Sequence, residues 1–567
     1  MKRFLPSGKE WRSAFDLLSR QEKIAFLSFF AITWLSLMGL LVLIDSRYST
    51  ILPASGGSLT EGIIGIPSKI NPLLAISDAD RDLSRLIFAG LMKSNGSGGL
   101  APELADRYEI SEDGLVYTFY LKENLYWHDN KPLTTDDVAF TINLAKNPKI
   151  DSPKRANWEG VNIEVVNEHE MKFHLRKPYA PFLENTTLGI LPKHVWEKVP
   201  VEEFKISDLN TNPLGAGAFK IRSLVKSDSG SITQYTLERF ARYRPQAPYL
   251  DTLILSIFPT EAEATTAFTE GTIEAIANIT PPTDNLAATT REIRLPRIFG
   301  VFFNQDSFKP LQNADLRKAL ELATDRDRII REAAHGKAIA TSLPIPPGTF
   351  AYASDLDRPT FDIRGAQEIL KKAGFEDTDG DGIIELVTKK EKTPIHFTLA
   401  TSDTPELAKA AEILKATWHE IGVDLTVQTY EIGDLEQSVI RPREYAALLF
   451  GQVVGYDPDP FAFWHASQRN DPGLNIALYA NTKVNKALED ARTTTDPVKR
   501  AELYRIFQEE LAKDKPAVFL YSPLYTYILP RDLRGIELSQ IPLPRERFTN
   551  IENWYRNTRT RWNILVR

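Results

Sequence analysis

From Ile24 to Ile44 the chain reads IAFLSFFAITWLSLMGLLVLI without one charged residue. At about 1.5 Å of rise per residue such a run crosses a hydrocarbon core of about 30 Å as a helix. Nothing else in the sequence restricts the fold as severely, because it divides the chain into two compartments. Lys2, Arg3, Lys9, Arg12, Arg20 and Lys23 precede it against Glu10, Asp16 and Glu22. The excess of basic residues predicts that residues 1–23 stay in the cytoplasm and that everything after Asp45 is exported. The competing reading is a cleaved signal peptide, with small residues for cleavage at Pro53-Ala-Ser-Gly56. The run exceeds the roughly 7–15 residues of a signal core, which favours a permanent single-pass anchor in the plasma membrane, with the globular part in the periplasm or at the cell surface.

The 567 residues exceed what one hydrophobic core organises, so two or three lobes are expected. There is no cysteine, which excludes disulfides, thiolate metal sites and thiol nucleophiles. A net charge of −7 spread over mixed signs argues against nucleic acid as a partner.

Tyr117, Phe119 and Leu121 alternate with Thr118, Tyr120 and Lys122, the period of a half-buried strand. The turn Asp129-Asn-Lys-Pro132 follows, and Thr134 or Thr135 caps a helix whose first turn holds Asp136 and Asp137. Residues 298–304, Ile-Phe-Gly-Val-Phe-Phe-Asn, read as a strand buried on both faces. Helices are expected at about 314–334, 364–373, 404–421 and 497–513, with strands near 394–400, 424–430, 446–452 and 516–521. This alternation predicts an α/β lobe. Residues 45–57 read as a polar linker.

The stretch from Tyr117 to Phe140, with Trp127-His-Asp-Asn130 at its centre, resembles the signature of the family 5 extracellular solute-binding proteins, the peptide, dipeptide and nickel receptors of bacterial ABC importers. Asn130 stands where that signature usually has Gly. Further blocks resemble the family in the same order: Ile70-Asn-Pro-Leu73, Asp82 to Leu91, Ala101 to Ala105, Asn212-Pro-Leu-Gly-Ala-Gly-Ala-Phe219, Asp315 to Arg326, and Gly455-Tyr-Asp-Pro-Asp-Pro460. The resemblance implies an α/β periplasmic-binding-protein type II (cluster C) fold, two hinged lobes with an extra domain. It places lobe I at 58–97, 210–297 and 525–567, the extra domain at 98–209 and lobe II at 298–524. It also implies a monomeric receptor, not an enzyme, that captures an oligopeptide or similar small solute by lobe closure and delivers it to the permease subunits of an ABC transporter. The alternative is a non-transport ligand sensor or extracytoplasmic chaperone on the same fold.

Candidate cleft residues are Phe303 and Asn304, at the end of a strand that would cross between lobes, and Tyr456, Asp457, Asp459 and Trp464 in and after the proline-stiffened loop. Phe303 as plain core, Asn304 as a turn cap and the loop acids as solvated are the competing readings. In the resembled peptide receptors an Asp about three residues before the acid of the Asp-Pro pair holds the peptide ammonium. Here that place falls on Tyr456 or Val454, unless Asp457 substitutes.

No cofactor is required by this reading, and a structural calcium is the one candidate. Asp377, Asp379 and Asp381 take alternate positions followed by Gly382, as in a calcium loop, and Glu385 is the remaining acid able to join them. An acidic turn without metal competes. No Gly-x-Ser-x-Gly elbow or phosphate loop occurs. His169 to His174 misses the His-Glu-x-x-His spacing by one residue and reads as a hairpin.

Overall fold

One strand, Ala517–Pro530, organises the largest sheet. Its first half pairs antiparallel with Arg297–Phe303, and its second half pairs antiparallel with Ala288–Arg294 and Ala275–Ala277. The computed structural model describes residues 12, 15–279, 288–388, 391–455 and 457–562. Among these, the sheet runs in the order Asp424–Tyr430, His396–Ser402, Ala447–Val453, Arg297–Phe303, Ala517–Pro530, Ala275–Ala277, Ser58–Ile64, Thr252–Phe258, Ile232–Arg239 and Phe219–Lys226. Parallel and antiparallel pairs are mixed, as expected of an α/β protein whose helices cover the sheet. The chain passes from one half of the sheet to the other at Leu295-Pro296 and at Ser522-Pro523, where Ser522 Oγ donates to the Leu295 carbonyl at 3.0 Å.

Side-chain alternation sends neighbouring residues of the strand Arg297–Phe303 into different cores. Phe303 joins Phe397, Leu399 and Trp418, whereas Phe302 joins Trp464, Phe507 and Phe519 on the other side. A third core gathers residues 59–295 with 525–554. The expected helix at 314–334 is two helices, Ala314–Leu322 and Arg326–Glu332, because Asp325 caps the second by accepting from the Arg328 amide at 2.9 Å. Helix Thr482–Thr493, too polar to be singled out by its pattern, packs on Pro497–Asp514.

The signature strand Val116–Leu121 lies inside a four-stranded antiparallel sheet, and Tyr117, Phe119 and Leu121 are buried as the alternation predicts. The His169–His174 segment belongs to the hairpin Asn162–Asn167 and Glu170–His174.

Residues 57–554 form one compact unit, and residues up to 56 together with 555 onward form a second. The second contains the helix Arg20–Tyr48, whose apolar side chains are exposed throughout the 20–40 span. It also contains an isolated antiparallel pair, Ser49–Ala54 with Asn557–Trp562. The stretch read as a polar linker therefore holds a strand. Its partner lies some 500 residues away in the sequence, and STILPA shows no clean alternation, so local pattern could not reveal it.

Candidate functional site

The signature turn serves as a brace. His128 Nε2 lies 3.1 Å from the Gly217 carbonyl and Nδ1 accepts from the Gly215 amide at 3.3 Å, while the His128 amide donates to the Gly215 carbonyl at 2.9 Å. One ring nitrogen donates and the other accepts, which only the neutral imidazole can do. Burial pushes the His128 imidazole down to about 4. Glycine is required opposite it: a Cβ on Gly215 would lie 2.0 Å from the Ile87 carbonyl oxygen and one on Gly217 2.4 Å from that of Leu86. Asn130 adopts φ +67°, a left-handed turn position that Asn tolerates, so it can stand where Gly is usual. Asp137 is likewise committed, accepting from the Thr134 amide at 3.0 Å and the Lys193 amide at 2.9 Å.

The proline-stiffened loop closes around three carboxylates. Arg500, on helix Pro497–Asp514, pairs with Asp457, which also accepts from Tyr504 Oη at 3.4 Å. Arg492, on helix Thr482–Thr493, grips Asp459 through Nε at 2.9 Å and Nη2 at 2.6 Å, and stacks over the Phe461 ring at 4.0 Å. Tyr179 Oη donates to the same Asp459 at 3.4 Å. The third carboxylate, Glu184, comes from the short helix Phe182–Asn185 and accepts a hydrogen bond from the Asp457 amide. Gly455 makes room for it, with φ +83° and a hypothetical Cβ only 3.1 Å from Glu184 Oε2. Burial, with Asp457 and Asp459 nearby, pushes the Glu184 carboxyl up to about 8.

Glu184 also lines a cavity of about 80 Å³ whose wall includes Arg85, Phe88, Lys93, Glu103, Lys154, Trp158, Arg545 and Glu546. Arg85 pairs with Glu103 at 2.9 Å, Arg545 with Glu546 at 3.0 Å, and Lys93 with Glu552.

Several expected cleft residues lie elsewhere. Phe303 is fully buried with its ring 6.3 Å from that of Trp418, so it offers no surface to a ligand. Trp464 is 1% exposed, enclosed by Phe302, Phe507 and Phe519. Asn304 caps a turn: its side chain accepts from the Asp306 and Ser307 amides at 3.1 and 3.2 Å and donates to the Arg443 carbonyl at 3.0 Å. These are corrections with one cause, since both faces of this part of the sheet are covered and a strand end there faces core or turn. Tyr456 lies outside the described residues. Asp457 and Asp459 sit together in the loop, each held by an arginine.

Asp377, Asp379 and Asp381 bring ligand atoms within 4.8 Å of one another on an exposed turn. Their carboxylates accept backbone amides, Gly380 and Gly382 on Asp377, Asp381 on Asp379 and Ile383 on Asp381. Glu385 does not join them. It is buried and accepts from the Thr378 amide at 2.9 Å and hydroxyl at 3.1 Å, anchoring the start of the loop.

Glu184 and Lys154 escaped the sequence reading. Neither stands in a spaced motif, and the two come together only through the short helices that carry them, joined where Asn185 Nδ2 donates to the Asn157 carbonyl at 2.9 Å.

A mixed sheet is crossed twice by the chain, and a charged loop meets the segment 179–184 that follows a neighbouring antiparallel sheet. The model of the bacterial extracellular solute-binding proteins, family 5, matches residues 99–473, and the chain belongs to that family. It is 28% identical to the oligopeptide-binding protein AppA of Bacillus subtilis (strain 168), over 89% of this chain and 92% of the relative. It is 26% identical to the dipeptide-binding protein of Escherichia coli (strain K12), over 91% and 97%. Among solved structures, the substrate-binding protein CtaP of Listeria monocytogenes superposes with a TM-score of 0.74 at 28% identity, covering 88% of this chain and 99% of that one. Bacillus subtilis AppA with a bound nonapeptide superposes at 0.66 and 26% identity, over 89% and 99%.

Proposed function

We infer that this protein is a membrane-anchored, extracytoplasmic receptor that captures an oligopeptide or similar small solute by lobe closure and delivers it to the permease of an ABC importer. The observation that carries this reading is the near-full-length likeness to peptide-binding relatives, AppA with its nonapeptide among them. The paired crossings at Leu295-Pro296 and Ser522-Pro523 support a hinge between a first lobe (58–97, 210–297 and, from the expected 525–567, the part up to 554 that belongs to the same compact unit) and a second (298–524), with residues 98–209 as the extra domain. Glu184, Asp457 and Asp459 are the charged groups where the extra domain meets the second lobe, and a solute held there would touch both. Isothermal titration of the full chain in nanodiscs with a peptide library, paired with X-ray scattering, tests the reading. Saturable binding with a decrease in radius of gyration supports it, and the absence of both across the library overturns it.

For the anchor, cleavage at Pro53-Ala-Ser-Gly56 would sever the strand Ser49–Ala54 that pairs with Asn557–Trp562, which favours retention of the helix. Amino-terminal sequencing of protein from washed membranes checks this. A calcium ion at Asp377, Asp379 and Asp381 is a further reading, supported by three convergent oxygens. A rise in melting temperature on adding calcium but not magnesium, absent in Asp379→Asn, would support it.

A further inference from the structure

The chain as a whole is acidic, but the segments flanking the exported part are not. The 567 residues sum to −7, yet residues 45–56 and 555–562 hold Arg47, Arg556, Arg559 and Arg561 against the single acid Asp45. Arg559 and Arg561 are two apart on the strand Asn557–Trp562, so they share one face of the pair it makes with Ser49–Ala54. Both are exposed, and among the described residues neither guanidinium has a hydrogen bond or an ion pair. The pair has only two strands, and none of its described side chains is buried. An isolated two-stranded pair is marginal in water and needs a further surface to rest on.

Where the pair begins points to that surface. Helix Arg20–Tyr48 runs into the strand Ser49–Ala54 with no residue between them. The apolar run ends at Ile44, so the helix end lies about 6 Å outside the hydrocarbon, at a headgroup layer about 5–8 Å deep. The register sets Arg561 opposite Thr50 and Arg559 opposite Leu52. These positions are at most about 7 and 13 Å beyond the helix end, and nearer to the bilayer if the strand tilts. A forked guanidinium on a long stem suits the oxygens of a phosphate. Because these arginines lie some 500 residues beyond the helix, they do not enter the charge bias that orients it. We propose, resting on the retained anchor above, that the face bearing Arg559 and Arg561 docks on the phosphates of anionic phospholipid in the extracytoplasmic leaflet, a second point of attachment at the far end of the chain.

The test is amide hydrogen exchange of the full chain in nanodiscs of phosphatidylcholine, and of phosphatidylcholine mixed with phosphatidylglycerol. Each arginine at an anionic surface contributes about a fivefold factor, so residues 49–54 and 557–562 should exchange at least about tenfold more slowly in the anionic discs. The difference should vanish at about 1 M salt, where the screening length falls to about 3 Å. The double variant Arg559→Gln, Arg561→Gln should lose the slowing, and Arg559→Lys, Arg561→Lys should keep most of it. The comparison of the two lipids on the unaltered protein decides independently of either variant. Equal exchange in the two discs, slowing reproduced in neutral discs by inorganic phosphate, or slowing undiminished in the glutamine variant overturns this inference and leaves the anchor standing. An intact mass lacking residues 20–44 in protein recovered from its host membranes overturns the anchor and this inference together.

Discussion

Two charge clusters in the same compact unit differ in one respect: one is closed and the other is left open. Around Arg547 every charge is answered. Its Nε meets Glu61 at 2.8 Å and its Nη1 and Nη2 meet Asp82 at 2.7 Å each, while Tyr527 Oη donates to the remaining Glu61 oxygen at 2.6 Å. This ties the strand Ser58–Ile64, the helix Asp78–Ile87 and the segment after residue 544 into one scaffold. At the cavity, Lys154 faces Arg545 and Arg81, and Glu184 faces Asp457 and Asp459 with Arg500 offsetting them only in part. A closed cluster fixes geometry, and an open one leaves buried ionisable groups without full compensation.

The contrast can be broken most forcefully at Arg547. Arg547→Met leaves Glu61 and Asp82 buried without a cation, and should lower unfolding free energy by about 3–5 kcal/mol in urea titrations. A loss under about 1 kcal/mol would refute the scaffold role.

His128 gives the next largest effect. Its imidazole, pushed down to about 4 from an ordinary 6.5, is neutral in the fold, so the unfolded chain binds more protons between those values. Its contribution is fully present above about pH 6.5 and is lost as pH falls through 4, by about 3 kcal/mol. The pH dependence of the urea midpoint should flatten over this window in His128→Gln.

The open cluster should respond in the opposite sense to removal of charge. Glu184, raised to about 8 from an ordinary 4.5, stabilises the fold below pH 4.5 and loses that contribution as pH rises through 8. Glu184→Gln should therefore be more stable than the unaltered protein at pH 8.5, by about 1–2 kcal/mol given partial solvent access. Lys154, lowered to about 8 from 10.5, is the mirror case: stability rises with pH between these values, and Lys154→Met should gain about 1 kcal/mol below pH 8. A loss of stability in both variants would close the distinction between the clusters. At the small end, Asp377→Asn on the exposed turn should change stability by less than about 0.5 kcal/mol in calcium-free buffer.

Elements written in local pattern were legible before any coordinates. The alternation Tyr117, Phe119, Leu121 marked a strand, the Thr134–Asp137 spacing marked a helix start, and the ordered motifs carried the family. Phe303 and Trp464 were misplaced because an aromatic residue next to a loop reads the same whether it lines a cleft or fills a core, and only the opposing sheet face decides which. Glu385 was grouped with its neighbouring acids by spacing, yet the chain bends it inward to hold Thr378.

By itself the sequence determined the apolar helix, the absence of thiol chemistry, the α/β alternation and the family, all properties of neighbours along the chain. Only the tertiary structure decided which charges are answered. Coulomb interaction and desolvation depend on distance and burial in space: Lys154 shares a cavity wall with Glu184, and Glu184, Asp457 and Arg500 meet across more than 300 residues of chain.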